Sequence, residues 1–582
     1  MGIAKVIVTD RVRVPKKLIP KDDVHDRYVI ELFEEHKCAK CSNRPERDPN
    51  NELCAECPSF LGVSRFFNSR EAKEDGVWSL PQADAGSIRR YLDKSGKEFK
   101  WVDRRKDIPV EQPFKFTSKL YGKYDVDEHG SKRPNQKFAA KRWLKTKNGI
   151  IVARPRSGKT VLATYLYSKL QVKTVIIADQ KELLNQFYET ACGEPAPRFL
   201  RGKMVASDKN AGRFAMTNLK QVMEDTGKPS IFMPDSYGNL LKFIDKFGFP
   251  DVLLITYQSF IKDMDRVAKI INGNYSFGIV DEEHGTGADA YLRFIASLDL
   301  KYRLGLSATP HRKDGKSRLT MLVLGPVAVA INTVTLKPAI EFYPVKAKPK
   351  TDHKSWVGAK AWQKRCQERN VEIVKMAFSD LRKGHNVIII PVEHKDHMEH
   401  LVKMINHQAK VNHKKKGENW PVELAKPFTN GVDRLGTLNW VDSLDKKGKV
   451  HKDLPTNSPR VLVAIMKMIK QGVDMKRPSM LYAVIPMSGL YGIGAPMFQQ
   501  LSFRVATPFP KPQPVVRIFV DNVSMFASTS ASLLYNEVLP NSQLKQRKDN
   551  LYVLQNYDVA KNTIAARMAR KKKSGGSGGS WY

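Results

Sequence analysis

Short apolar runs separated by helical patterns are the feature that most constrains the fold of this 582-residue chain. Between residues 148 and 520, runs rich in Val, Ile and Leu alternate with stretches of helical periodicity. Such runs, joined by helices, are typical of parallel strands buried on both faces. The predicted strands are 150–153, 174–178, 253–256, 277–280, 303–306, 387–390, 461–464, 481–485 and 515–520. The sequence therefore predicts an α/β protein with two parallel-sheet units.

Composition shifts along the chain predict its domain organisation. A chain of this length favours about four domains. A β-rich connection at 326–345 precedes a helical pattern at 359–381, and the residues before 106 belong to neither α/β unit. The predicted divisions are an N-terminal accessory domain at 1–105, α/β domains at 106–325 and 326–545, a basic C-terminal segment at 546–573 and an expression scar at 574–582.

The charge balance indicates the kind of partner. Lys and Arg number 98 against 60 Asp and Glu, a net charge of +38 that exceeds what solubility needs and predicts a polyanionic partner. The basic stretch 561–573 is either a solvated tail or a nucleic-acid-binding arm, and the basic run 410–416 is predicted to be a surface loop.

The sequence also bears on where the protein acts. It holds no uncharged apolar run of about 18 residues, so no membrane span is predicted. The first 25 residues alternate Val and Ile with Arg and Lys and lack the apolar block of a signal peptide. We therefore expect an intracellular protein.

A phosphate-binding loop follows the predicted strand 150–153. Ser157, Gly158, Lys159 and Thr160 open the next predicted helix, and the stretch fits the loop motif except that Ala153 replaces its first Gly. Gly158 lets backbone N–H groups surround phosphates, Lys159 neutralises the β and γ charges, and the Thr160 hydroxyl ligates Mg²⁺. ATP and Mg²⁺ are the predicted ligands.

An acidic segment at the end of another strand supplies the second half of such a site. Asp281, Glu282, Glu283 and His284 follow the apolar run 277–280. Asp281 would hold Mg²⁺, and Glu282 would orient and deprotonate the attacking water. Lys159, Asp281 and Glu282 are therefore the predicted catalytic centre of a nucleotide hydrolase.

The segments 281–284 and 302–312 together resemble the DExH box and the SAT motif of superfamily 2 helicases. The resemblance implies two tandem RecA-like domains that hydrolyse ATP. Arg133 and Gln136 resemble the adenine-reading motif of the UvsW, RecG and XPB type, with Gln136 on the base.

The same resemblance extends to nucleic-acid contacts in the first domain. Residues 255–260 resemble a strand-contacting motif, and the SAT segment ends at Arg312. The resemblance implies that Thr256, Gln258 and Arg312 contact nucleic acid.

The second α/β unit resembles the superfamily less closely. Asp474 ends a motif V-like segment and is assigned to the nucleotide, and Gln500 and Arg504 resemble the start of motif VI. Phe503 stands where that motif has Gly, and Thr507 stands where it has a second Arg. Arg504 is therefore the candidate arginine finger, with Gln500 beside it in the predicted catalytic set.

Four cysteines near the N-terminus have the spacing of a metal site. Cys38 and Cys41 form one C-x-x-C pair and Cys54 and Cys57 a second, twelve residues later. Four thiolates at this spacing favour one tetrahedral Zn²⁺, although an iron–sulfur cluster is an alternative and disulfides are disfavoured in a reducing compartment. We predict a zinc module at about 36–60 that either staples the N-terminal domain or grips DNA.

Among superfamily 2 members, the motifs are most similar to those of phage branch-migration helicases of the UvsW kind. This resemblance implies an ATP-dependent DNA helicase or translocase on branched or forked DNA, acting in recombination, repair or replication-fork processing, in the host cytoplasm if phage-encoded. Three alternatives stay open: an RNA helicase, a PriA-like restart helicase, and a nucleic-acid-binding zinc protein that has lost its ATPase.

Overall fold

The chain divides into two compact units, Met1–Val334 and Thr335–Tyr582. The structure is a computed structural model. It describes residues 3–9, 11–33, 60–65, 76–120, 122, 124–126, 132–153, 157–178, 181–200, 203–205, 215–281, 289–307, 316–331, 336–349, 355–416, 418, 420–421, 423–429, 434–443, 458–470, 475–487, 498, 501–507, 511–534, 538–539 and 545–546.

The first unit begins with a small α/β module, called the N-terminal module below. Its elements are β1 (Ala4–Val8), β2 (Arg11–Pro15), α1 (Lys21–Tyr28), β3 (Val29–Phe33), β4 (Phe60–Arg65), β5 (Val77–Pro81), a 3-10 helix at Gln82–Asp84, α2 (Ala85–Lys94) and β6 (Phe99–Asp103). Four strands form a sheet in the order β5-β2-β1-β6, in which only the β1–β6 pair is parallel. Alternation along β1 and β2 places Val6, Val8, Val12 and Val14 on the buried face.

The remaining strands of the module flank the cysteine-containing segment in the sequence. β3 and β4 pair antiparallel, from Val29 opposite Arg65 to Phe33 opposite Phe60. This pairing places Phe33 and Phe60, the residues on either side of segment 34–59, opposite each other. The four cysteines themselves lie outside the described residues.

The rest of the first unit contains a seven-stranded parallel sheet and two short antiparallel strand pairs. Its elements are β7 (Tyr124–Val126), β8 (Lys132–Pro134), α3 (Gln136–Thr146), β9 (Asn148–Ala153), α4 (Lys159–Leu170), β10 (Thr174–Ala178), α5 (Lys181–Cys192), β11 (Arg198–Leu200), β12 (Lys203–Val205), α6 (Leu219–Thr226), β13 (Ile231–Phe232), α7 (Tyr237–Phe247), β14 (Val252–Thr256), α8 (Tyr257–Phe260), α9 (Met264–Ile271), β15 (Phe277–Asp281), α10 (Asp289–Ser297), β16 (Tyr302–Ser307), α11 (Lys316–Leu324) and β17 (Val327–Ile331). The strand order is β13-β14-β10-β15-β16-β9-β17.

Burial on both faces explains the continuous apolar runs of these strands. In β10, Ile176 packs into the core on one face, while Val175 and Ile177 pack into the core on the other. Leu254 and Leu253 divide in the same way in β14. The predicted parallel strands of this unit are therefore confirmed.

A strap of chain, residues 105–112, runs along the amino-terminal edge of this sheet. The Ile108 carbonyl accepts from the Lys173 N–H at 2.7 Å, and the Ile108 N–H donates to Ser276 Oγ at 2.7 Å. The buried carboxylate of Asp251 accepts from the Glu111 N–H at 2.7 Å. Lys173, Ser276 and Asp251 directly precede strands, so the strap occupies the edge where strands begin.

The second unit contains another seven-stranded parallel sheet. Its elements are β18 (Ala339–Pro344), α12 (Trp356–Arg365), α13 (Gln367–Arg382), β19 (Val387–Val392), α14 (Lys395–Lys416), β20 (Ala425–Phe428), α15 (Arg434–Asp442), β21 (Arg460–Ile465), α16 (Met466–Lys470), β22 (Met480–Ala483), β23 (Val515–Val520), α17 (Ser524–Leu533) and β24 (Lys545–Gln546). The strand order is β20-β21-β19-β22-β23-β18-β24. The four predicted strands of this unit are confirmed as parallel strands.

Two local predictions in the second unit are wrong. The helix predicted at 359–381 is two helices that meet at Cys366, whose ψ of 104° interrupts the helical backbone. Asn370 Nδ2 donates to the Lys364 carbonyl at 3.2 Å across this break. The basic run 410–416 is the end of α14 rather than a loop. Ala409 and Asn412 are buried there while Lys410 and Lys414 are exposed, so the charges mark the solvent face of a helix.

Candidate nucleotide-binding site

The candidate site lies at the carboxyl-terminal edge of the first sheet. β9, β14, β15 and β16 all end at this edge, because the sheet is parallel throughout. Open α/β sheets bind their ligands outside the carboxyl ends of the strands. The strap covers the amino-terminal edge of the sheet, whereas the predicted site residues lie at the carboxyl-terminal edge.

Gly158 adopts a conformation that only glycine tolerates here. It is the N-cap of α4 with φ +75°, and a Cβ built on it would lie 2.2 Å from Gln136 Nε2. The first N–H groups of a helix have no partner within the helix and carry its positive dipole end. The beginning of α4 is therefore suited to phosphate, as the sequence predicts.

Gln136 joins α3 to the phosphate-binding loop. Asn135 caps α3 by accepting from the Gln136 N–H at 2.7 Å. The fully buried Gln136 side chain donates through Nε2 to the carbonyls of Ser157 at 2.8 Å and Gly158 at 3.3 Å. Sequence reasoning missed this contact, because nothing in a local pattern pairs residues 21 positions apart. The predicted contact of Gln136 with the adenine base stays a prediction.

Lys159 and Asp281 come together across the sheet edge. Lys159 begins α4 and Asp281 ends β15, and Nζ lies 4.0 Å from Oδ1. Their side chains are 10% and 5% exposed. A carboxylate is a ligand that Mg²⁺ prefers, and an ammonium group neutralises phosphate. Together with the Thr160 hydroxyl at the start of α4, this set of groups fits a magnesium–triphosphate ligand.

The sequence of this region matches known proteins. Residues 130–312 match the family "Type III restriction enzyme, res subunit". The DNA 3'-5' translocase XPB2 of Sulfurisphaera tokodaii is 26% identical over 195 residues, which cover 34% of this chain and 34% of that protein. This region of the chain is therefore similar to superfamily 2 helicases. The similarity supports a helicase-type ATPase with ATP and Mg²⁺ as its ligands.

Solved helicase structures align with longer parts of the chain. Mycobacterium smegmatis Lhr, bound to ssDNA and AMP-PNP, covers 74% of the chain with 16% identity and a TM-score of 0.43, and 51% of Lhr is covered. T4 UvsW aligns over 98% of each chain with 14% identity and a TM-score of 0.32. The chain spans about a third of the length of the curated relative XPB2.

The structure describes both residues of the strand-contacting motif that are predicted to contact nucleic acid, Thr256 and Gln258. Thr256 is buried and caps α8, since its Oγ1 accepts from the Ser259 N–H at 3.2 Å. Gln258 is exposed on the same helix. The sequence pattern did not reveal the capping function of Thr256. Contact of Thr256 and Gln258 with nucleic acid stays a prediction.

Of the two predicted motif VI residues, Gln500 and Arg504, the structure describes only Arg504. Its side chain is buried, and its N–H donates to the Leu501 carbonyl at 2.9 Å. Its assignment as arginine finger stays a prediction. The other predicted site residues lie outside the described residues: the Arg133 side chain, Glu282, Arg312, Asp474 and Gln500.

The predictions of a metal site and of no membrane span are tested only for the residues that the structure describes. No group of three or more His, Cys, Asp or Glu that could hold a metal occurs there. Cys38, Cys41, Cys54 and Cys57 are outside that part. Within the same residues, the helices are too short or too polar to cross a membrane.

Proposed function

We propose that this helicase is an ATP-driven translocase that acts on DNA, and on branched or forked DNA in particular. The observation that carries the proposal is the placement of Lys159 4.0 Å from Asp281, beside the helix start at Gly158, at the carboxyl edge of a parallel sheet. The intact Lys159–Asp281 pair also argues against the alternative of a binding protein that has lost its ATPase.

The chemistry follows from the groups at this edge. The N–H groups at the start of α4 and the Lys159 ammonium bind and neutralise the phosphates. Thr160 and Asp281 would hold Mg²⁺, which would supply charge neutralisation to the reacting phosphate when bound. Glu282 orients and deprotonates the attacking water, and Arg504 stabilises charge on the transferred phosphoryl group.

Three observations favour DNA as the track. The net charge of +38 suits a polyanion. The curated relative XPB2 is named a DNA translocase. The helicase motifs resemble those of the UvsW-type branch-migration helicases, which suggests recombination, repair or fork processing as the setting. RNA is the second candidate track, since phosphate contacts do not distinguish the two.

One assay compares these possibilities. ATP hydrolysis is measured with forked DNA, a four-way junction, single-stranded DNA and RNA at the same salt concentration. The proposal predicts the highest rates with the fork or the junction. Greater stimulation by RNA would favour an RNA helicase, and DNA binding without any hydrolysis would favour the alternative of a binding protein.

Site variants test the catalytic assignment. Lys159→Ala is expected to abolish hydrolysis because the phosphates lose their neutralising charge. Glu282→Gln is expected to bind nucleotide normally and to hydrolyse it about 10²-fold or more slowly.

Arg504→Ala is expected to slow hydrolysis with unchanged nucleotide affinity. Wild-type ATP turnover in either Lys159→Ala or Glu282→Gln would contradict the assignment of the site. An unchanged rate of ATP hydrolysis in Arg504→Ala would mean that another residue is the arginine finger.

We also propose that Cys38, Cys41, Cys54 and Cys57 bind Zn²⁺. The spacing of the two pairs supports this, as does the pairing of β3 with β4, which places Phe33 and Phe60, on either side of segment 34–59, opposite each other. Elemental analysis of the purified protein is expected to give about one zinc per chain, and Cys38→Ser with Cys54→Ser to abolish it. Cys192→Ser is the matched control. Iron in place of zinc, or no metal, would overturn the proposal.

A further inference from the structure

The N-terminal module shares its apolar core with two helices of the ATPase sheet. Val12, Val14 and Trp78 of the module pack in one buried cluster with Leu292 of α10 and with Leu319 and Leu322 of α11. The module is therefore built directly onto α10 and α11.

These two helices follow the two motifs that carry the superfamily assignment. α10 begins at Asp289, eight residues after Asp281 at the end of β15. α11 begins at Lys316 and follows β16, which ends at Ser307. In a parallel sheet, each such helix starts near the carboxyl edge and returns to the amino edge. Any displacement of α10 or α11 therefore acts at the ends of the DExH and SAT segments.

The buried side chain of Arg303 forms hydrogen bonds with both helices and with the module. Arg303, in β16, is 2% exposed and donates to the carbonyls of Ile295 at 3.1 Å, Leu298 at 2.5 Å and Val323 at 3.0 Å, at the ends of α10 and α11. Its Nε donates at 3.0 Å to Oε1 of Gln82, in the 3-10 helix of the module. Gln82 is also buried, and its Nε2 donates to the Thr9 carbonyl at 2.9 Å.

We propose that Arg303 is a positioning residue of the ATPase and that Gln82 is the contact through which the N-terminal module sets the rate of ATP hydrolysis. Arg303 holds the far ends of the helices that follow the two motifs, and Gln82 completes its hydrogen bonds. Loss of the Gln82 oxygen leaves Arg303 Nε as a buried donor without this acceptor, which is unfavourable unless the side chain moves. Movement of Arg303 would displace the ends of α10 and α11, whose carbonyls it binds.

This inference rests on the proposed ATPase function, and it makes a prediction about catalysis rather than stability. Gln82→Ala is expected to lower kcat of the DNA-stimulated ATPase about fivefold or more. The KM for ATP is expected to stay within about twofold of wild type, because the Lys159 loop is not touched. Gln82→Glu keeps an oxygen opposite Arg303 Nε and is expected to restore kcat.

The matched control is Lys97→Ala. The exposed Lys97 donates through Nζ to the carbonyls of Lys17 and Leu18, each at 3.2 Å, so the variant removes hydrogen bonds inside the module alone. Its kcat is expected to equal that of wild type. Gln82→Met, of similar size but with no oxygen, replaces Gln82→Ala if the alanine variant does not fold, and its kcat is expected to fall in the same way.

Steady-state ATP hydrolysis by the full chain with saturating forked DNA decides the outcome. A lower kcat in Gln82→Ala, restored in Gln82→Glu and unchanged in Lys97→Ala, supports the inference. Wild-type kcat in the Gln82→Ala or Gln82→Met variant overturns it, and so does an equal loss in Lys97→Ala. Absence of hydrolysis in the wild-type protein instead overturns the proposed function.

Discussion

Two buried arginines lie on equivalent strands of the two sheets and have different partners. β16 lies between β15 and β9 in the first sheet, and β23 lies between β22 and β18 in the second. Each of these strands pairs with the strand of its sheet that comes first in the chain: β16 pairs with β9, and β23 pairs with β18. Arg303 of β16 is 2% exposed and Arg517 of β23 is 7% exposed.

Arg303 is bound by neutral oxygens, whereas Arg517 is bound by carboxylates. Burial lowers the pKa of Arg303 to about 10, and the nearby charge of Asp299 offsets this only in part. Arg517 donates to Glu341 Oε2 at 2.7 Å and 2.9 Å and also to Asp380. Burial opposes its charge as well, but the attraction of Tyr482, Asp380 and Glu341 raises the pKa of Arg517.

The difference shows two ways of compensating a buried arginine. The second unit neutralises Arg517 with carboxylates from its own β18 and α13. The first unit binds Arg303 with helix-end carbonyls and with Gln82 of the N-terminal module. The compensation of Arg517 therefore lies within its own parallel-sheet unit, while that of Arg303 depends on a part of the chain outside the parallel sheet.

The largest expected effect is that of Arg517→Met. The variant leaves the buried Asp380 and the partly buried Glu341 without their cation and is expected to destabilise the second unit by about 3–5 kcal/mol. Arg303→Met leaves only carbonyl oxygens without a donor and is expected to cost about 1–3 kcal/mol. Hydrogen exchange of β23 and of β16, read by mass spectrometry, measures the two losses separately. Equal losses would contradict the comparison.

A pH titration sharpens the same comparison within the second unit. His397 is buried with Nε2 3.0 Å from Asn370 Oδ1, and burial, followed by the nearby charge of Arg369, lowers its pKa to about 3. The native state keeps this histidine neutral while the unfolded state binds a proton below about pH 6.5. Stability of the second unit is therefore full above that pH and is lost as pH falls toward 3, by about 2 kcal/mol at pH 5.

His397→Gln is expected to remove this pH dependence from the unfolding free energy of the second unit. The exposed His407→Gln is the control and should retain it. A steep loss of stability between pH 6.5 and 5 that persists in His397→Gln would assign the dependence to another group.

The smallest expected effect compares two helix caps. Asn135 Oδ1 accepts from the Gln136 N–H at 2.7 Å, and Ser355 Oγ accepts from the Gly358 N–H at 3.1 Å. Asn135→Ala and Ser355→Ala are each expected to cost about 1 kcal/mol. Only Asn135→Ala is also expected to weaken ATP binding, measured by calorimetry, because its helix carries Gln136 at the phosphate-binding loop. An equal loss of ATP affinity in both variants would contradict this.

The parallel sheets were predictable because their strands are buried on both faces. A run such as 174–178 is apolar at nearly every position and coincides with β10. β1 and β2 carry an alternating pattern instead, with Val6 and Val8 buried and Lys5 exposed. Alternation at this length does not specify which strands pair, so the N-terminal sheet was not predicted. Short strands such as β13 (Ile231–Phe232) give too little pattern to recognise.

The candidate site was predictable where chemistry requires a residue type at a fixed place. Gly158 and Lys159 come shortly after β9 and Asp281 ends β15, so local sequence places them at one edge. Contacts that form only in the folded chain left no such signal. Arg303 lies 221 positions from Gln82, and Arg517 lies 137 positions from Asp380. A charged residue in a strand pattern gives no indication of which distant oxygen it will meet.

The central claim is that Asp281 and Lys159 bind one magnesium–nucleotide ligand at the carboxyl edge of the first sheet. The most direct test is calorimetric titration of ATP into wild-type protein and into Asp281→Ala, each with Mg²⁺ and with EDTA. The claim predicts that Mg²⁺ strengthens ATP binding to wild type and has little effect on Asp281→Ala. Equal strengthening by Mg²⁺ in both proteins would contradict it.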